Sequence, residues 1–208
     1  MTYLILVRHG ISEYNAKGLW TGWDDPSLAE EGIADAKNAA GVLTDIPMDI
    51  GFTSIQKRHK DTLSIIKTSL KKDNLPVIES KSLNERNYGI YTGKNKWEIK
   101  KQVGDEAFLN IRRGWDCPIP KGESLKETYE RVVSYYTKEI LPLLLSNKNI
   151  IISSSGNALR CLVKFIENIS DEDIVKLEIA TGEVYVYQLD NQGKIIHKEI
   201  RNQHRNIV

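Results

Sequence analysis

Three apolar runs in the chain each break off onto groups that handle anions. LILV opens onto Arg8 and His9, GFT opens onto Ser54 and then Arg58, and NIII opens onto Ser153, Ser154, Ser155, Gly156 and Asn157. Guanidinium groups offer forked donors and hydroxyls offer single ones. A glycine that opens a helix leaves backbone N–H groups facing outward, which completes the inventory of a phosphate site. A histidine among them adds a nucleophile or proton carrier whose ring titrates near neutral pH. An RHG tripeptide alone is common, and a histidine after a strand is more often structural. The weight lies in three strand ends with compatible chemistry.

Those ends meet only if their strands are parallel and close. Short strand-like runs alternate with helix-length amphipathic stretches, without repeats, low-complexity tracts or linkers. That order predicts an α/β fold, a three-layer α/β/α arrangement on a mainly parallel central sheet. In an open parallel sheet the carboxyl ends of the strands share one crevice. Strands are read at 3–7, 50–53, 76–79 and 149–153, and a hairpin at 183–189 and 194–200 around DNQG. Ser27 and Glu30 resemble a capping box before a helix carrying Ile33, Ala36, Ala40 and Leu43. Further helices are read at about 56–70, at 124–145 with Leu125, Thr128, Val132, Tyr136, Ile140 and Leu143 on one face, and from about 157. The stretch 83–96, rich in Asn, Arg, Tyr and Gly, reads as a long ordered loop, where an α/β protein usually keeps its chemistry.

Composition narrows the partners. The 208 residues suit a single domain, 1–208, with a full core. With 29 basic against 28 acidic side chains the net charge is +1, so no global field selects nucleic acid or an anionic membrane, and a cationic site must be local. Cys117 and Cys161 make no disulfide framework or CxxC pair, which fits a reducing cytoplasm. The apolar run in MTYLILVRHG is too short for a signal segment or a membrane span and reads as a first buried strand. His59, His197 and His204 fit no metal spacing and read as surface or packing groups. Trp20 and Trp23 read as packing for the loop that carries Thr21, and GISEYN has no Walker pattern.

In one order across 3–189 stand LVRHGISEYN, TGWDDPSLAEEG, SIQKR, LNERNYG, GKNK, IRRGWD, GESLKET and SGNALR. This set strongly resembles the histidine phosphatase superfamily, and within it the phosphoglycerate mutases that depend on 2,3-bisphosphoglycerate. The resemblance implies the phosphoglycerate mutase-like fold and a phosphohistidine at His9, charged by 2,3-bisphosphoglycerate without a metal. It implies interconversion of 3-phosphoglycerate and 2-phosphoglycerate by a monomer or homodimer. Arg8 and Arg58, with the amide of Asn15, match the groups that clasp the transferred phosphoryl, an electrostatic task in a loose transition state. Glu85 matches the general acid/base. Ser12, Thr21 and Gly22 resemble the loop that binds the glycerate carboxylate, and Gly156 and Asn157 resemble a helix start touching substrate. Tyr88, Lys96, Arg112 and Arg113 resemble a clamp for the second, non-reacting phosphate, which a plain phosphatase does not need. Adjacent residues on a helix point about 100° apart, so Arg112 and Arg113 are not expected to face one ligand head-on.

The family's second histidine is missing, for its place before GNALR is taken by Ser155. A serine is shorter and neutral, and the loss of one preorganised donor predicts a rate lower by roughly 10²–10³. His59, a helical neighbour of Arg58, is expected to point away and not to substitute. Ile11 stands where an acidic residue is usual and Asn87 where a histidine is usual. The insertion between CPIP and GESL and the long closing tail of larger members are also absent, an expectation of weaker closure and more leakage to water. Two other readings stay open: a broad phosphomonoesterase, and a catalytically weak module that binds phosphorylated ligands.

Overall fold

LILV and III carry no polar alternation, as strands must when both faces are covered. In the computed structural model, which describes residues 1–202, they form the centre of a six-stranded sheet. Its strands are β1 (Thr2–Arg8), β2 (Ile50–Thr53), β3 (Val77–Glu79), β4 (Ile150–Ser154), β5 (Val184–Leu189) and β6 (Ile195–Arg201), in the order β3-β2-β4-β1-β5-β6. β1, β2, β3 and β4 are mutually parallel, whereas β5 runs antiparallel to both β1 and β6. His204 lies outside the described residues.

Alternation along each strand sorts the core into two layers. Leu4, Leu6, Ile150, Ile152, Tyr185 and Tyr187 face one side, where α6 (Leu125–Tyr135), α7 (Leu141–Leu145) and α8 (Gly156–Glu167) pack. Ile5, Val7, Ile151, Val184 and Val186 face the other, against α2 (Glu30–Gly41) and α3 (Lys57–Ser69). Burial of these apolar faces is the main force holding the sandwich. A smaller cluster of Trp20, Tyr88, Ile99, Phe108 and Ile111 joins the loops to α4 (Lys96–Val103) and α5 (Asp105–Arg113).

Several local readings need correction. α2 begins at Glu30 with Ala29 as its uncapped first flank. The Ser27 carbonyl accepts the Glu13 N–H, so the chain is still extended at 27 and the helix starts later. Ile33 is exposed, and Ala36, Ala39 and Ala40 make the buried face. The single helix read at 124–145 is α6, a π-helical stretch over Tyr136–Ile140, and α7. Pro142 follows that stretch and has no N–H to give the preceding turn, a cause of such widening. Ser124 and Glu127 do form a capping box there. Short α1 (Glu13–Ala16), α4 and α5 were not anticipated.

Candidate active site

The register of the sheet brings the first and third of the three strand ends together. Arg8 pairs with Ser154 across β1 and β4, and the His9 N–H donates to the Ser154 carbonyl at 3.0 Å. His9 is buried at 3% exposure, and its Nδ1 lies 2.7 Å from the Gly10 carbonyl. A carbonyl only accepts, so Nδ1 carries the proton and Nε2 keeps a free lone pair. Burial, and then the guanidinium groups of Arg58 and Arg8, hold the ring well below its ordinary pKa of about 6.5. It is therefore neutral at pH 7. The loop after His9 crosses α2 backbone to backbone: a Cβ on Gly32 would meet the Ile11 carbonyl oxygen at 2.0 Å, and one on Gly10 the Gly32 oxygen at 2.2 Å. Only glycine fits at that crossing.

Both arginines are held by carbonyls and keep donors in reserve. Arg8 Nη1 donates to Ile179 at 2.5 Å. Arg58, fully buried in the first turn of α3, donates from Nη1 to Asp24 at 3.0 Å and from Nη2 to Gly22 at 3.2 Å. The Nε atoms of Arg8 and Arg58 are buried without a partner among the described residues. Burial lowers both pKa values, that of Arg58 to about 10, and leaves them charged. α8 starts directly on Arg8: a Cβ at Gly156 would lie 3.3 Å from its Cζ.

Glu85 sits in a loop whose backbone is gripped from three elements. Its N–H donates to Gln56 Oε1 at 2.8 Å, and its carbonyl accepts from Trp23 Nε1 at 2.8 Å and Arg131 Nη2 at 3.0 Å. The carboxylate accepts from the Arg86 N–H at 2.6 Å and Asn157 Nδ2 at 3.0 Å. Asn157 also donates to Tyr88 Oη and accepts from Arg160 Nη1, both at 2.8 Å. Gln56, Trp23 and Arg131 hold backbone atoms, a role their residue types do not announce. Arg160 was readable, since it lies one turn after Asn157 on the same face of α8.

These groups surround a cleft of about 80 Å³. Arg8, Asn15, Thr21, Gly22, Gly156 and Asn157 line it together with Glu85, Tyr88, Lys96, Arg112 and Arg113. Arg160, Trp20, Glu178 and Ile179 join them unanticipated. His9, Arg58 and Ser155 are buried and are not among the lining residues, and the Ser155 hydroxyl is unpartnered among the described residues. Ser12 is buried too: it caps α1 and exchanges hydrogen bonds with Asn15. Arg112 and Arg113 end α5 and, despite their angular separation, converge through their long side chains on Glu178, at 3.7 Å for Arg112 and closer for Arg113. Lys96 shows the local excess of positive charge: burial, then Arg112 and Arg8, pull its pKa to about 8. Among the described residues no group of three His, Cys, Asp or Glu side chains is placed to hold a metal ion, and no helix is long and apolar enough to cross a membrane.

His59 departs from its expected direction. It is fully buried, and its ring packs on His9 with centroids 5.0 Å apart. Burial and then Arg58 push its pKa well down as well. The unfolded chain protonates both histidines near pH 6.5, and the native rings resist. Stability is therefore complete above that pH and falls below it, by up to about 1.4 kcal/mol per pH unit for each ring until the depressed native values are reached. Urea unfolding between pH 7.5 and 5 measures this. A midpoint that does not drop below pH 6.5 contradicts the neutral assignment of the pair.

The chain is 42% identical to the 2,3-bisphosphoglycerate-dependent phosphoglycerate mutase of Parvibaculum lavamentivorans, over 95% of this chain and 95% of that protein. It is 45% identical to the protein of the same name from a Chelativorans species, over 95% and 97%. The crystal structure of the alpha-ribazole phosphatase from Shigella flexneri superposes with a TM-score of 0.77 at 23% identity, covering 91% of each chain, which is a likeness of fold. The profile of the histidine phosphatase superfamily (branch 1) matches residues 4–200, a span that holds both the His9 floor and the cationic cleft, and the chain belongs to that superfamily.

Proposed function

We propose that the protein is a phosphoglycerate mutase that uses 2,3-bisphosphoglycerate and interconverts 3-phosphoglycerate and 2-phosphoglycerate through a phosphohistidine at His9. One observation carries the reading: a neutral imidazole with a free Nε2, flanked by two guanidiniums, accompanies a cleft lined by a further cationic group, Lys96, Arg112 and Arg113. A single phosphate needs one such group, whereas a ligand phosphorylated at two positions needs both. The names of the relatives above support the same substrate.

The buried, unpartnered Nε atoms of Arg8 and Arg58 and the cationic lining fit a doubly phosphorylated ligand. 2,3-Bisphosphoglycerate supplies the phosphoryl group that charges the enzyme. His9 Nε2 forms the N–P bond as the bond from phosphorus to the leaving oxygen breaks, and Glu85 gives that oxygen a proton. In the return step Glu85 takes the proton of the attacking hydroxyl and the N–P bond breaks. Arg8 and Arg58 offset the charge on the equatorial oxygens. Thr21, Gly22, Asn15 and Ser12 orient the glycerate end, Ser12 through its cap on Asn15. Tyr88, Lys96, Arg112 and Arg113 hold the other phosphate, and Gly156 and Asn157 bring the start of α8 to the ligand. Ser155 stands where the family's second histidine belongs. In this reading the chain works as one domain, 1–208, in the cytoplasm, as a monomer or homodimer, with no metal.

The test is to add 2,3-bisphosphoglycerate, quench, measure acid-labile phosphate on the chain, and follow 3-phosphoglycerate by phosphorus NMR. An acid-labile adduct and isomerisation dependent on catalytic bisphosphoglycerate are expected. Release of inorganic phosphate without isomerisation would make the protein a phosphatase, and absence of any adduct would leave a binding protein.

A further inference from the structure

Two polar atoms next to the His9 floor are buried without a partner among the described residues, His59 Nε2 and Ser155 Oγ. Their surroundings differ. Ser155 offers one short hydroxyl, and it follows Ser154, whose carbonyl takes the His9 N–H. His59 reaches the same floor from α3 and is tied to β4, because its carbonyl accepts from Ser153 Oγ at 3.0 Å.

The hydrogen bonds of Ser54 suit one tautomer of His59. Ser54 Oγ accepts the Gln56 N–H at 2.9 Å and lies 2.5 Å from His59 Nδ1. With a backbone donor already on the oxygen, its own proton is available to Nδ1, and a neutral ring that accepts it carries its proton on Nε2. In that tautomer His59 holds out an N–H with no acceptor among the described residues, on a ring 5.0 Å from that of His9 and tilted by 33°. A phosphoryl group on His9 Nε2 would put three acceptor oxygens on the ring that packs against His59. A buried donor without an acceptor is unfavourable, and at a site for an anion it is accounted for by the anion.

The geometry points to His59 as the second imidazole of the site, a catalytic residue that donates from Nε2 to an oxygen of the phosphoryl group carried by His9 and replaces, from the helix side, the donor that Ser155 does not supply from the strand side. No proton moves in this role: the N–H stays on His59 while the N–P bond forms and breaks, and Glu85 alone handles the proton of the sugar-acid oxygen. The assignment rests on the phosphohistidine reading above.

The experiment compares His59→Phe, which keeps the ring volume and removes the donor, with His59→Gln, which keeps an amide donor, and with the paired exchange His59→Ala, Ser155→His. The readouts are the rate of His9 phosphorylation by 2,3-bisphosphoglycerate in quenched flow and the dissociation constant of 3-phosphoglycerate by calorimetry. His59→Phe should slow phosphorylation by on the order of 10²–10³, with the dissociation constant changed by less than about threefold. His59→Gln should stay within about tenfold of the parent, and the paired exchange should recover most of the rate. Equal phosphorylation rates for the parent, Phe and Gln proteins would overturn the role, as would Ser155→His alone accelerating the parent about tenfold or more with His59 in place. If the parent itself forms no phosphohistidine, the phosphohistidine reading fails first, which separates the two failures.

Discussion

His9→Asn is expected to leave no acid-labile phosphate on the chain and to lower isomerisation by roughly 10⁶-fold, the scale on which removal of a nucleophile acts when it works as a unit with its neighbours. Asparagine can still donate an amide hydrogen toward the Gly10 carbonyl, so the local hydrogen bond that orients His9 can be kept. What it lacks is a lone pair basic enough to take phosphorus. Because the site is buried and the variant is smaller and neutral, folding should persist, and the cationic cleft should still bind 3-phosphoglycerate. Radiolabelled donor, acid and base quenches, and calorimetry read the three quantities separately. An adduct of normal acid lability in the variant would move the nucleophile to another residue, with His59 the nearest imidazole.

Arg8→Met is expected to lower phosphoryl transfer by about 10³–10⁵, the range found when a guanidinium that meets transition-state charge is removed. Methionine fills much of the volume between β1 and the start of α8 and carries no charge. The loss should appear in single-turnover transfer more than in substrate affinity, since Lys96, Arg112 and Arg113 still hold the distant phosphate. It should also grow as pH falls. Arg8 is one of the groups that hold the His9 pKa down, so its removal raises that pKa and protonates a larger share of the nucleophile in acid. A deficit under about tenfold, or one independent of pH, would show that the guanidinium field is not part of the chemistry.

What could be read in the sequence follows from what burial dictates. β1, β2 and β4 were legible because strands covered on both faces must be continuously apolar, and the point where LILV, GFT and NIII stop marks the sheet's rim. The residues just past that rim, Arg8, His9 and Gly156, were therefore legible as well. α4 and α5 were not, since Lys96–Val103 and Asp105–Arg113 are short, charged, and organised by packing on Trp20 and Tyr88 instead of by their own periodicity. Gln56, Trp23 and Arg131 act on the Glu85 backbone through single hydrogen bonds, which leave no pattern. Glu178 lies in a connection without periodicity. For His59 the helical angle from Arg58 misled, because its ring packs against that of His9 with centroids 5.0 Å apart.

The pairing of Glu178 with Arg112 and Arg113 gives the cleft the character of an ion-exchange bed. These two cations are not bare before a ligand arrives, because a tethered carboxylate already occupies them. Within the proposed function an incoming phosphate trades places with that carboxylate, so attraction at long range is softened and selection shifts to charge density at contact. A dianion gains more from the guanidiniums than the carboxylate gave up, and a singly charged metabolite does not.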